Sequence, residues 1–198
     1  MKWQTAIVLG LVLAGCGPSF KVAALTAPQA KPASKLTPKQ QKILASLDKQ
    51  VAANLKYDAA YTKNGLPKPG TGVCIDVVIK SATAIGIDLK REVTKEIAAN
   101  PRAYKVTKPD PGIDHRRCRT VIYWFKKHTK SLPLGSDFQP GDIVFYSTPG
   151  NGKIDHVGVI GGRTGSDGLP TFVHHWPGRP VEEVENPLIF KVVGHFRF

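Results

Sequence analysis

The chain is short of acidic residues: 15 Asp and Glu stand against 28 Lys and Arg, for a formal charge of +13 over 198 residues. The basic excess is spread along the sequence, which favours long-range attraction to polyanions over one specific contact. Nucleic acid is not the expected partner, because zinc fingers, recognition-helix motifs and aromatic-rich RNA-binding signatures are all missing. An anionic cell envelope fits the charge. Metal patterns are missing too. His115, His156, His174, His175 and His195, with Asp142 or Asp155, could supply ligands, yet no His-Glu-x-x-His and no Cys-x-x-Cys occurs, so no metal and no cofactor are expected. The length leaves no room for a second full domain, only for one sizeable core and a tail. A monomer is the expectation.

Long apolar runs are also lacking. The run from Ala6 to Ala14 follows Lys2 and gives way to small residues up to Cys16. It is too brief and too asymmetrically flanked for an ordinary membrane span, and reads as a secretory signal over residues 1–15. "LAGC", Leu13 to Cys16, resembles the lipobox of bacterial lipoproteins. That resemblance implies cleavage before Cys16, lipidation of its thiol and a stable membrane anchor. Gly17 in place of aspartate favours the periplasmic side of the outer membrane, if there is one. A plain signal peptide, or a buried N-terminal helix, is the competing reading. Residues 16–36, rich in Pro, Ala, Ser and Lys, read as a flexible tether.

The folded domain is expected over 37–198. Thr37, Pro38 and Gln40 form a helix-start signature, and Ile43, Leu44, Leu47, Val51 and Leu55 recur at helical spacing. From Tyr57 to Gly72 the chain is polar and turn-rich, with no regular structure expected. "VCIDVVIKSATAI" is β-branched, so periodicity does not separate helix from buried strand; helix is favoured. Further helices are expected over "LKREVTKEIAAN" and "CRTVIYWFKKH". The last third turns to strands: "QPGDIVFYS", "IDHVGVIGG", "TFVHHW" and one or two in "LIFKVVGHFRF". Helices first and strands later make an α+β domain, N-terminal helices packed on a small antiparallel sheet.

Cysteine is scarce, with three in all. With Cys16 lipidated, Cys74 and Cys118 remain, and in an oxidising compartment they could form a disulfide. Cys74 could also be inert packing. A third reading is chemical: at the first turn of a helix, free amides and the macrodipole lower a thiol's pKa and could hold an oxyanion. A base and an orienting group would then be needed. If the second and third strands pair with 156 opposite 174, His156 and His174 share a face and His175 points away.

"GVCIDVV", "QPGDIVFYS", "IDHVGVIGG" and "FVHHW" resemble the ordered motifs of NlpC-type, papain-like cell-wall peptidases. With "YDAAY", "GIDL", "DPGIDHRR" and "GHFRF", the chain from about Leu47 onward resembles more closely the YijF-like bacterial family of unknown function, within that superfamily. The resemblance implies a papain-like fold, with Cys74 as nucleophile, His156 as general base and His174 orienting it. It also offers Tyr61 as a substrate or oxyanion contact. Arg116 or Arg117, in the "IDHRR" signature, could clamp a substrate carboxylate, or belong to a solvated basic loop. Where NlpC-type relatives carry Asp-Cys-Ser-Gly, this chain has Val73, Cys74, Ile75 and Asp76, and Asp76 is a further substrate-binding candidate. The expected activity is cleavage of an amide bond in peptidoglycan stem peptides by a membrane-anchored cysteine hydrolase. A papain-like acyltransferase or deacylase, or a non-catalytic envelope binding module, is the alternative.

Overall fold

A computed structural model describes residues 35–198. The signal, Cys16 and nearly all of the expected tether lie outside the described residues. Among the described residues no helix is long and apolar enough to cross a membrane.

Helix α1 (Pro38–Ala52) begins as expected: Gln40 N donates to Thr37 Oγ1 at 3.2 Å, and Thr37 N donates back to Gln40 Oε1 at 2.8 Å. Ile43 and Leu47 form its buried stripe. Helix α2 (Cys74–Ala84) settles the ambiguity of its β-branched run in favour of helix. Ile75, Val77, Val78 and Ala82 are all buried there, because α1 lies against one side of α2 and the sheet against the other. Tertiary burial on several sides suits a nearly all-apolar helix. Helix α3 (Leu89–Ala99) is capped by Asp88 and stops before Pro101. Helix α4 (Cys118–His128) follows a short 3₁₀ turn, Asp114–Arg116.

Two strand pieces fall where no regular structure is expected. Lys56–Tyr57 (β1) and Thr71–Gly72 (β2) pair in parallel, so the loop between them returns Tyr57 to the start of α2. The loop itself is pinned from inside: His115 Nε2 donates to the Gly65 carbonyl at 2.8 Å, and Gly65 (φ +67°) has no room for a side chain against that imidazole.

The remaining strands are β3 (Lys130–Ser131), β4 (Ile143–Ser147), β5 (His156–Thr164), β6 (Pro170–His175), β7 (Val181–Val184) and β8 (Lys191–Arg197). They form one antiparallel sheet in the order β3-β8-β4-β5-β6-β7. Its helix-facing side carries Ile143, Phe145, Val157, Val159 and Val173 against the helices. Its other side carries Val144, Tyr146, Ile160 and Phe172 under Phe138 and Phe190. Cover on both sides explains why β4 is buried throughout instead of alternating. Around Phe125 of α4, the rings of Phe145, Phe196 and Phe198 stand 5.4 to 5.6 Å away, tying α4 to the sheet.

The "PGD" turn and the terminal "GHFRF" prove to be two ends of one device. Asp142, wholly buried, accepts from Gln139 N (2.8 Å), His195 Nε2 (2.9 Å), and Arg197 Nε and Nη2 (2.7 Å each). The carboxylate therefore clamps β8 to the entry of β4. His195 and Asp142, weighed as metal ligands from the sequence, are partners of each other here.

Candidate active site

Cys74 is the first residue of α2, where amide N–H groups have no acceptor within the helix. A buried chain of contacts fixes that helix start. Val73 N donates to Asp76 Oδ2 at 2.8 Å, and Arg116 Nη2 donates to the same oxygen at 3.0 Å. The two side chains are 8% and 2% exposed, and Arg116 also forms part of the wall of the cleft in front of Cys74. Asp76 and Arg116, expected as substrate contacts, are engaged with each other at the start of the Cys74 helix.

Cys74 is buried, 7% exposed as a residue; its sulfur lies 3.6 Å from the sulfur of Cys118, the first residue of α4, and both thiols are free. The hydrogen bond from Cys118 is the largest cause holding the Cys74 thiol well below its ordinary pKa. Burial opposes it, while the hydrogen bond and charge of His156 and the Ile75 N–H add to the lowering. Cys118 is pushed well up, first by its bond to Cys74 and then by burial. One proton thus stays on Cys118 while Cys74 carries the charge.

Behind the thiol stand the two histidines. The register of β5 and β6 pairs Val159 with Val173 and Ile160 with Phe172. Continued along the strands, it places 156 opposite Trp176, two residues from the expected pairing. A shift of two preserves the face. His156 Nε2 and His174 Nδ1 accordingly meet diagonally at 2.9 Å, while His175 turns to the helix side and meets the Tyr57 ring edge-on at 5.2 Å. Trp176 lies edge-on to His156 at 4.9 Å and stacks on Phe190, which keeps water from the pair. Burial, then the charges of His156, His175 and Arg179, lower the His174 pKa to about 3. His174 is therefore neutral at ordinary pH.

The open space in front of Cys74 is a cleft of about 350 Å³, lined by Tyr57, Cys118, Arg117, Arg119 and Asp155 among others. Neither His156 nor His174 forms part of its wall. Arg117 reaches it while paired to Asp114 at 3.0 Å. Asp155 holds Thr148 N at 3.0 Å and Thr148 Oγ1 at 2.9 Å, fixing the turn that delivers His156. Among the described residues no group of three or more His, Cys, Asp or Glu is placed to hold a metal ion.

Residues 44–198 match DUF1287, a domain of unknown function. The chain belongs to this family. It is 35% identical over 162 residues to the uncharacterized protein YijF of Escherichia coli strain K12, covering 75% of this chain and 77% of YijF. The YijF-like resemblance carried by the motifs is borne out. No solved structure matches the chain.

Two residues of the DUF1287 domain enter the site unannounced by the sequence. The first is Tyr57. Tyr61, the expected tyrosine, is 58% exposed, with its hydroxyl 3.3 Å from Asp110, away from the cleft. Tyr57, four residues earlier in "YDAAY", occupies the cleft wall because β1 pairs with β2 beside Cys74. Burial, then the charge of Cys74, pushes its pKa up to about 12, so it keeps its proton and remains a donor. The second is Glu182, directly across from His174 in β7, with Oε1 3.6 Å from His174 Nε2 and Arg179 at 3.4 Å. A His156 that has taken the thiol proton donates from both nitrogens, so His174 must accept at Nδ1 and carry its own proton at Nε2. That proton faces Glu182.

Proposed function

We propose that the chain is a cysteine hydrolase with a papain-like catalytic arrangement, anchored in the cell envelope through Cys16, that cleaves an amide bond in peptidoglycan stem peptides. The observation that carries this reading is the ordered series of Cys74 at a helix start, a His156 imidazole near enough to lower the thiol's pKa, and His174 Nδ1 at 2.9 Å from His156 Nε2. These are the three parts nucleophilic catalysis by a thiol requires. Support for a wall substrate comes from the charge of +13 and from the arginines beside the cleft.

In this reading the Cys74 thiolate attacks the amide carbonyl carbon. The developing oxyanion is met by the free N–H groups at the start of α2 and by the Tyr57 hydroxyl. Collapse breaks the carbon–nitrogen bond, and His156 gives its proton to the departing amine, leaving an acyl thioester on Cys74. Water attacks the thioester and loses a proton to His156. A carboxylic acid leaves and the thiolate–imidazolium pair is restored.

The test is digestion of purified sacculi and defined muropeptides by the wild type and by Cys74→Ala, with products identified by mass. Peptide products from the wild type and none from Cys74→Ala are expected. Equal product from both proteins, or none from either, would leave the cleft as a binding site and end the hydrolase reading.

A further inference from the structure

The hydrolase reading uses one of the two thiols and gives the other only a hydrogen bond. Cys118 is nevertheless as near to the reacting sulfur as a thiol can be without bonding it, at 3.6 Å. We propose that Cys118 is a resolving thiol, which on oxidation joins Cys74 in a reversible disulfide that masks the nucleophile and spares it irreversible oxidation. This rests on Cys74 being a reactive thiolate, not on which bond the enzyme cleaves.

Three features of the site support it. The sulfurs come from separate helices, each at the first residue, so closing the gap joins two helix starts instead of straining one backbone segment. Both cysteines line the open cleft, so a peroxide and a small dithiol reductant have a path to them. Among the described residues no three or more His, Cys, Asp or Glu are placed together to hold a metal ion, the thiol pair included. A sulfur–sulfur bond suits two such thiols better than a thiolate metal site does.

The chemistry balances with hydrogen peroxide as oxidant. The Cys74 thiolate attacks the peroxide oxygen and breaks the O–O bond, giving Cys74 sulfenic acid and hydroxide. Cys118 sulfur then attacks the sulfenic sulfur; its proton and the sulfenic hydroxyl leave together as water, and the disulfide remains. The order follows from the site: Cys74 carries the charge and reacts first. Its oxidation removes the thiolate that accepts the Cys118 hydrogen bond, the main reason Cys118 holds its proton. Reduction by a dithiol returns both thiols, with the reductant left as its own disulfide.

The test uses the complete chain, reduced, freed of reductant and treated with a few equivalents of hydrogen peroxide. Disulfides are mapped by peptide mass and free thiols counted with iodoacetamide. Cys74–Cys118 is the expected main product, with Cys74 alkylation falling about tenfold or more and returning after dithiothreitol. In Cys118→Ser the expected product is Cys74 sulfinic or sulfonic acid, with alkylation not restored. Cys118→Ala, with its thermal melt, guards against a variant that does not fold, and the wild-type map decides the matter alone if neither variant does. Cys74 sulfinic acid in the wild type with Cys118 still free, or crosslinks running through Cys16, would overturn the proposal. These readouts are independent of hydrolysis. Wall peptides cut by a protein that never forms the bond would sink only the lock, and a bond formed in a protein that cuts nothing would sink only the hydrolase.

Discussion

Asp76→Ala is expected to lower the free energy of unfolding by about 3 to 5 kcal/mol, because it leaves the Arg116 guanidinium buried without a counter-charge. Arg116 is 2% exposed at its side chain, and its Nε already lacks a hydrogen-bond partner, so little else can absorb the loss. The same substitution frees Val73 N, the first tie of α2. Urea unfolding followed by circular dichroism measures the effect. The double variant Asp76→Ala, Arg116→Leu separates an ion pair from a general packing defect: removing both charges should recover part of the loss. A single variant as stable as the wild type would mean that water reaches the pair and that it does not fix the helix start.

His156→Ala is the second large effect, and it acts on chemistry more than on stability. On the proposed hydrolase reading, in which His156 is the general base, turnover of a cleaved wall peptide should fall by about 100- to 10,000-fold. Alkylation of Cys74 should fall less. The hydrogen bond from Cys118 is the largest cause of the lowered thiol pKa and survives the substitution, whereas the bond and charge of His156 are lost. A small loss in alkylation beside a large loss in turnover would place His156 in proton transfer as well as in thiolate stabilisation. Equal losses in both would reduce its role to the thiolate alone.

The parts of the site that local sequence can specify were legible. Cys74 lies between turn-forming glycines and a helical run, and His156 and His174 sit in strands whose alternation puts them on one face. The observed register differs by two residues from the expected one, and the strand period of two keeps both histidines on one face. What the sequence hid was set by contacts over long separations. Tyr57 and Tyr61 share one short motif, and only the pairing of two-residue strands, too short to leave a pattern, decides which reaches Cys74. Arg116 resembled a surface clamp until Asp76, forty residues earlier, was found beside it. Glu182 lies in a four-residue edge strand, "VEEV", whose charges conceal it, and it faces His174 only through the β6–β7 register. The "PGD" and "GHFRF" motifs were visible, but their shared purpose at Asp142 depends on β8 lying beside β4.

Both the proposed hydrolysis and the proposed disulfide turn on the charge state of the Cys74 sulfur. Titrating thiolate absorbance in the ultraviolet for the reduced complete chain, with Cys74→Ala subtracted, measures it directly. The expected thiolate persists well below about pH 8.5, the range of an ordinary cysteine, and vanishes in Cys74→Ala. Absorbance appearing only in that ordinary range, or unchanged by the substitution, would contradict both proposals.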